Sequence, residues 1–258
     1  MIDRRFKAVA VKAAVKSGRF IRNSVGKIEK VSYKGRDNIV TDVDKKAETI
    51  ILKDILKVFP GHSILSEECA PRIGRTPYKW IIDPLDGTTN FAHAFPFFCV
   101  SIALEEMGRV IVGVVYDPMR DELFSAERGK GAFLNGSRIA VSKKRLLIDS
   151  LLATGFSYGL RRKDRNVAFF KEMLMRSLAI RRAGSAAIDL CYVACGRFDG
   201  FWEMDLHPWD SAAGKLIVEE AGGTVTRFNG NSYTPYDRDI LATNGLIHTR
   251  MSNILRQK

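Results

Sequence analysis

Cysteine, histidine and long apolar runs are scarce in this 258-residue chain, and each scarcity narrows what it can be. The four cysteines, Cys69, Cys99, Cys191 and Cys195, form no CxxC pair, so the sequence indicates no disulfide framework and no thiolate metal site. Cys191 and Cys195 have helical i,i+4 spacing, but no histidine or further cysteine accompanies them. Buried free thiols in a reducing compartment are expected. The four histidines, His62, His93, His207 and His248, are scattered, and structural or surface positions are expected for them. No apolar stretch reaches the ~20 residues that span a bilayer. The opening Met1-Ile-Asp-Arg-Arg-Phe-Lys carries charge with no apolar segment behind it, unlike a secretory signal. A cytoplasmic protein without a membrane partner is expected. There is no internal repeat, low-complexity tract or evident linker.

What is present is apolar bulk and positive charge. An apolar content of 46% over this length supports a substantial core near the size at which one core begins to divide. One unit, 1–258, with two packed halves, roughly 1–145 and 146–258, is expected. The formal charge of +12 suits either a nucleic acid or an anionic phosphate substrate. The basic clusters Arg4–Lys7, Lys143–Arg145, Arg161–Arg165 and Arg181-Arg182 are not interleaved with stacking aromatics as in RNA readers, so solvated faces are favoured over nucleic-acid binding.

Apolar positions Phe6, Val9, Ala10, Ala13, Ala14 and Phe20 predict an amphipathic helix from about Arg4 to Val25. An extended piece, Glu29–Tyr33, and a turn at Lys34–Asn38 follow. Thr41 reads as the N-cap of a second helix running to Phe59 and stopped by Pro60-Gly61. The middle is mainly antiparallel sheet: Trp80–Ile82, Cys99–Leu104, Val110–Tyr116 and Glu122–Ala126, with a tight excursion from Gly129 to Gly136. From Ser150 strands Leu151–Thr154, Leu178–Arg182, Gly200–Glu203 and Thr224–Arg227 alternate with helices near Asn166–Arg176, Ser185–Cys195 and Asp210–Ala221. Such alternation implies sheet layers faced by helices.

The chemistry concentrates in Trp80-Ile-Ile-Asp83-Pro84-Leu85-Asp86-Gly87-Thr88-Thr89-Asn90-Phe91. An apolar strand ends in two acids, and proline is expected to stop ladder pairing there. Asp83 and Asp86 can point into one small volume, and hard cations such as Mg²⁺ take oxygen ligands of this kind. Backbone N–H groups from Gly87 to Thr89, at a helix start, suit phosphate. An ordinary Asx-turn would explain Asp86-Gly87 by itself. Three further acidic places are each unremarkable alone: Glu67-Glu68 after Ile64-Leu65-Ser66, Asp210 at a helix start where capping is the ordinary role, and Asp44 near the start of the second helix.

Taken together, these segments resemble the inositol monophosphatase family of lithium-sensitive, magnesium-dependent phosphatases. Asp83-Pro-Leu-Asp86-Gly-Thr88-Thr is similar to its central metal motif. Glu67-Glu68, Thr41-x-x-Asp44, Trp209-Asp210-Ser-Ala-Ala-Gly214, Gly184-Ser185-Ala186-Ala187 and Phe201-Trp202-Glu203 match further blocks in order, from about Arg4 to Gly245. The resemblance implies an α+β fold, a layered αβαβα sandwich with a mainly antiparallel N-terminal sheet and a mixed C-terminal sheet. It also implies a homodimer and about two to three Mg²⁺ ions per site. Glu67, Asp83 and the Leu85 carbonyl would hold one metal, and Asp83, Asp86 and Asp210 a second. Glu67 would also serve a weaker third ion, with Glu68 nearby. Glu67, Thr88 and Asp44 form the implied catalytic set, Thr88 with Asp44 orienting the attacking water. Gly87, Thr88 and Thr89 would bind phosphate, and Gly184, Ser185, Ala186 and Glu203 the alcohol part of the substrate. Lys34 stands near a lysine of the family pattern, although spacing varies there.

The implied reaction is metal-assisted hydrolysis of a small phosphorylated polyol or sugar, with no covalent phosphoenzyme. No histidine or cysteine of the chain sits in a phosphatase nucleophile motif. The Gly184–Ala187 and Phe201–Asp205 blocks look closest to the inositol monophosphate branch. Arg181-Arg182 keeps a bisphosphate such as fructose 1,6-bisphosphate, or a nucleotide 3′-phosphate, in play. Asp205 and His207 are expected to line a loop near the substrate. A different class, an RNA-binding or regulatory protein built on the same fold, is the alternative that the +12 charge leaves open.

Overall fold

Two large sheets and three helix layers alternate through the described residues. The computed structural model describes residues 2–27, 31–34, 38–156 and 165–256. The chain opens with α1 (Arg4–Ser24), the antiparallel pair β1 (Val31–Lys34) and β2 (Asn38–Thr41), and α2 (Asp42–Val58). Next come β3 (Ser63–Ser66), β4 (Tyr78–Asp86), the short α3 (Thr88–Ala92), β5 (Cys99–Glu106), β6 (Arg109–Asp117), β7 (Glu122–Glu127), β8 (Ala132–Leu134) and β9 (Ser137–Ile139). These seven strands form one sheet in chain order, parallel only between β3 and β4.

The remaining elements are β10 (Leu151–Thr154), α4 (Arg165–Leu174), β11 (Ala179–Arg181), α5 (Ala186–Ala194), β12 (Gly200–Met204), α6 (Pro208–Glu220), β13 (Thr224–Thr226), β14 (Asp239–Thr243) and α7 (His248–Leu255). Their five strands make a mixed sheet, ordered β11-β10-β12-β14-β13. The pairs of β10 with β11 and β12 are parallel, and those of β14 with β12 and β13 are antiparallel.

The period-2 alternation of strand side chains builds the layers. On β4, Trp80 and Ile82 join Phe6, Ala10, Ile51 and Ile55 from α1 and α2, whereas Ile81 joins Leu190, Ala213 and Leu216 from α5 and α6. On β12, Phe201 turns to that same central layer, and Trp202 packs outward with Phe169, Met173 and Met251 of α4 and α7. The order is therefore αβαβα. Among the described residues, no helix is long and apolar enough to cross a membrane.

Several local expectations need correction. Pro84 does not end β4: pairing with β5 resumes at Asp86↔Cys99 after a register shift that begins at Asp83↔Ser101. A bulge accommodates the missing N–H of proline. The helix expected from Asp210 starts at Pro208, a favoured first-turn position, so Asp210 is its third residue. The strands β8 and β9 lie in or beside the 129–136 excursion, and β14 and α7 go beyond the expected elements. The strands in this group have only three to five residues each, too few for a clear period. All four cysteines are free, but Cys69 and Cys195 are only half-buried. Residues 28–30, 35–37 and 161–164, which carry parts of the expected extended piece, turn and basic cluster, lie outside the described residues.

Candidate active site

The bulge that ends β4 builds the first wall of a cavity. Asp83 is buried, and its Oδ1 accepts the N–H of Leu85 at 2.9 Å, an Asx-type bond that folds the chain back around Pro84. Gly87 then takes a left-handed φ of +92°, and a Cβ there would stand 2.9 Å from the Phe97 carbonyl oxygen. Only glycine fits this corner. It turns the chain from strand into α3, placing Thr88 and Thr89 just past the two acids. β3 runs parallel alongside, and the Glu67 N–H donates to the Ile82 carbonyl at 3.3 Å, which sets Glu67 next to the end of β4.

From behind, α2 supports both segments. Thr41 and Asp44 form a capping box: the Thr41 N–H donates to Asp44 Oδ2 at 2.8 Å, and the Thr41 hydroxyl accepts from Val43. The other oxygen, Asp44 Oδ1, lies 2.9 Å from the Thr88 hydroxyl, which is also 3.0 Å from the Leu85 carbonyl. One turn along, buried Glu48 accepts from the Ser66 hydroxyl and, at 3.2 Å, from the Glu68 N–H. The two acids lie on one face of α2 because they are four residues apart.

The opposite wall comes from the second sheet. Ser185, the N-cap of α5, donates to Asp86 Oδ2 at 2.6 Å, and the Ala187 N–H donates to the same oxygen at 2.8 Å. A carboxylate is well placed against these helix-start donors. In α6 the Asp210 side chain accepts the His207 N–H at 2.7 Å, leaving its second oxygen for the cavity. Asn90 ties the walls together, donating to the carbonyls of Phe97 at 2.7 Å and Ala183 at 2.8 Å.

Electrostatically these acids oppose one another. Burial pushes the Asp83 carboxyl well above the ordinary range, and Glu67, Asp86 and Asp210 push it further. Asp86 is raised to about 7, first by burial and then by Asp210, against the hydrogen bonds from Ser185 and Ala187. Burial also dominates at Asp44, which rises despite bonds from Thr41 and Thr88. Among the described residues, no three of the acids stand in metal-ligating geometry. Asp83, Asp86 and Asp210 each have one oxygen held by the chain's own donors, which leaves the other for a ligand.

The cavity has a volume of about 720 Å³. Glu67, Asp83, Leu85, Asp86 and Asp210 line it together with Gly87, Thr88 and Thr89. Gly184, Ser185, Ala186, Glu203 and Arg182 also face it. Asp44 does not reach the cavity and touches it only through Thr88. Glu68 and Arg181 are not among its lining residues, and Lys34 falls in β1, where side chains lie outside the described part. His207 does line it, stacked on Trp209 with ring centroids 4.9 Å apart. Sequence reading missed Glu48, Asn90 and Asp189. The signal for Glu48 was its spacing from Asp44, and for Asp189 its place as the one acid within an otherwise apolar helix.

A model of the inositol monophosphatase family matches residues 3–258. An inositol-1-monophosphatase of Synechocystis sp. is 46% identical over 251 residues, covering 96% of this chain and 87% of the relative. The protein named Nus factor SuhB of Escherichia coli K12 is 47% identical over 240 residues, covering 92% of this chain and 90% of that one. Among solved structures, the extragenic suppressor protein suhB of Bartonella henselae superposes with a TM-score of 0.95 at 43% identity, covering 98% of this chain and 99% of the other.

Proposed function

Because the chain belongs to the inositol monophosphatase family, we propose that it hydrolyses a small phosphate monoester, foremost an inositol monophosphate, with Mg²⁺ as its cofactor. The observation that carries this reading is the set of mutually opposing acids gathered around buried Asp83 at the β4 bulge. Like charges gathered out of water are costly unless something positive joins them.

The donor set fits a hard cation. Carboxylates of Glu67, Asp83, Asp86 and Asp210 and the carbonyl of Leu85 offer oxygen only, with no thiolate or imidazole among them. When bound, Mg²⁺ supplies charge that offsets the phosphate dianion, lowers the pKa of water and stabilises the leaving alkoxide. The chain's own residues do the positioning. Asp44 accepts from Thr88, which holds the hydroxyl of Thr88 toward the attacking water. N–H groups after Gly87 face the phosphate oxygens. Gly184, Ser185, Ala186 and Glu203 then meet the alcohol. Among the described residues, Arg182 is the lysine or arginine that lines the cavity, and it is available to a phosphate group of the substrate.

Phosphate release from inositol 1-phosphate, fructose 1,6-bisphosphate, histidinol phosphate and adenosine 3′,5′-bisphosphate tests the reading. Each is run with Mg²⁺, with EDTA and with added Li⁺. Turnover of inositol 1-phosphate that needs Mg²⁺ and is inhibited by Li⁺ supports it, and undiminished turnover in EDTA contradicts it.

A second role in binding a polyanion such as RNA is favoured by the formal charge of +12 together with the relative named Nus factor SuhB. Salt-dependent RNA retention by this chain tests it. Both roles fit a cytoplasmic homodimer, which sedimentation checks directly.

A further inference from the structure

The helix α5 is buried along its whole length and apolar except at Asp189. That side chain is 1% exposed, yet it lines the cavity, and among the described residues its Oδ1 receives no hydrogen bond. A buried carboxyl oxygen without a partner is costly, and native structures rarely keep one without a use. Asp189 lies one helical turn beyond Ser185, which holds Asp86. The two therefore share a face of α5, with Asp189 set back from the acids of the β4 bulge. Glu203, at the end of β12, lines the same part of the cavity, and it closes so tightly on Gly155 that any side chain there would collide with its carboxylate.

We propose that Asp189 is a specificity-determining residue of the alcohol subsite: with Glu203 it hydrogen-bonds the free hydroxyls of a polyhydroxylated leaving group and disfavours a second phosphate there. This rests on the phosphatase reading above and deepens it. The cavity wall offers the alcohol two carboxyls with spare oxygens, which match neighbouring hydroxyl donors of a cyclic polyol or sugar. A phosphate in the same place would find two acids there and no offsetting charge from them. Among the described residues, Arg182 is a basic side chain felt by both acids, and it lowers both against the larger effect of burial.

The test uses the full chain with Mg²⁺ and two substrates, inositol 1-phosphate and phenyl phosphate, whose leaving group carries no further hydroxyl. Asp189→Leu removes the oxygen while keeping bulk, and Asp189→Asn keeps a hydrogen-bonding group. In Asp189→Leu, kcat/KM for inositol 1-phosphate should fall about tenfold further than for phenyl phosphate, the factor of one ordinary hydrogen bond. The loss should lie mainly in KM. Asp189→Asn should recover most of it, and the preference against fructose 1,6-bisphosphate should weaken in Asp189→Leu. Equal losses on both esters, or none on either, overturn the proposal. If Asp189→Leu does not fold, Asp189→Ala carries the same expectation. Wild-type protein that leaves inositol 1-phosphate intact defeats the functional reading itself, whereas wild-type turnover with indifferent Asp189 variants defeats only the role of Asp189.

Discussion

The hydroxyl of Thr88 stands 2.9 Å from Oδ1 of Asp44, although the two residues are 44 positions apart in the chain. Thr88 stands at the start of α3, just past the β4 bulge, and Asp44 is locked from the other side by its own helix cap. The pair joins the first turn of α2 to the wall of the cavity.

Breaking that pair should slow chemistry without loosening the cation. Thr88→Val and Asp44→Asn are each expected to lower kcat by roughly 10²- to 10³-fold, the range for loss of a proton-handling partner. The Mg²⁺ concentration giving half-maximal rate should stay close to that of the wild type. A shift in Mg²⁺ demand with kcat intact would place Thr88 among the ligands instead.

Glu48 should behave in the opposite way. It holds Ser66 and the Glu68 N–H, and so fixes the segment that carries Glu67 without entering the cavity. Glu48→Ala is expected to raise the Mg²⁺ requirement by about tenfold, as loss of an outer partner does at metal sites. Turnover at saturating Mg²⁺ should be largely preserved. The ratio of the two effects, read from Mg²⁺ titrations of rate, separates this from general damage.

Asp83→Asn should separate activity from stability. It is expected to abolish Mg²⁺-dependent phosphate release and yet raise the melting temperature of EDTA-treated protein at pH 8 and above, because it removes a carboxyl whose ionisation is opposed by burial and by Glu67, Asp86 and Asp210. The rise should be roughly 3 °C for each kcal/mol relieved. Calorimetry in EDTA checks it, and a lower melting temperature would count against the electrostatic account.

The same repulsion sets a pH dependence. Folding raises the Asp86 carboxyl from 3.8 to about 7, so between these values the folded chain takes up a proton that the unfolded chain does not. Stability of the metal-free protein should therefore rise as pH falls from about 8 to 6, with Asp83 acting in the same direction. His62 and His248 act against this below their ordinary value of 6.5, since burial holds both imidazoles neutral. Saturating Mg²⁺ should flatten the rise. Melting temperatures across this range, with and without Mg²⁺, measure it.

Much of this architecture is legible in the residues. The Thr41 cap, the apolar stripe of α2 and the long strands β5 and β6 follow from period and capping alone. The acids at the end of β4 stand out because an apolar strand has no other reason to finish in them. Three things were hidden. The path of β4 beyond Pro84 depends on a bulge whose partner, Cys99, is fixed only by tertiary pairing. The start of α6 depends on Asp210 accepting the His207 N–H, so a residue read as a helix's first is its third. Asp189, although the one acid of an apolar helix, and Glu48 show their roles only when packing leaves one Asp189 oxygen without a partner among the described residues and sets Glu48 under the Glu67 segment.

The most direct measurement adds Mg²⁺ stepwise to EDTA-treated wild-type and Asp83→Asn protein, and follows melting temperature and phosphate release from inositol 1-phosphate in the same samples. In the wild type both should rise over one Mg²⁺ range, and in Asp83→Asn neither should respond. Phosphate release in EDTA, or an Asp83→Asn protein that still answers to Mg²⁺, would contradict the assignment of these acids to a cation-dependent phosphatase centre.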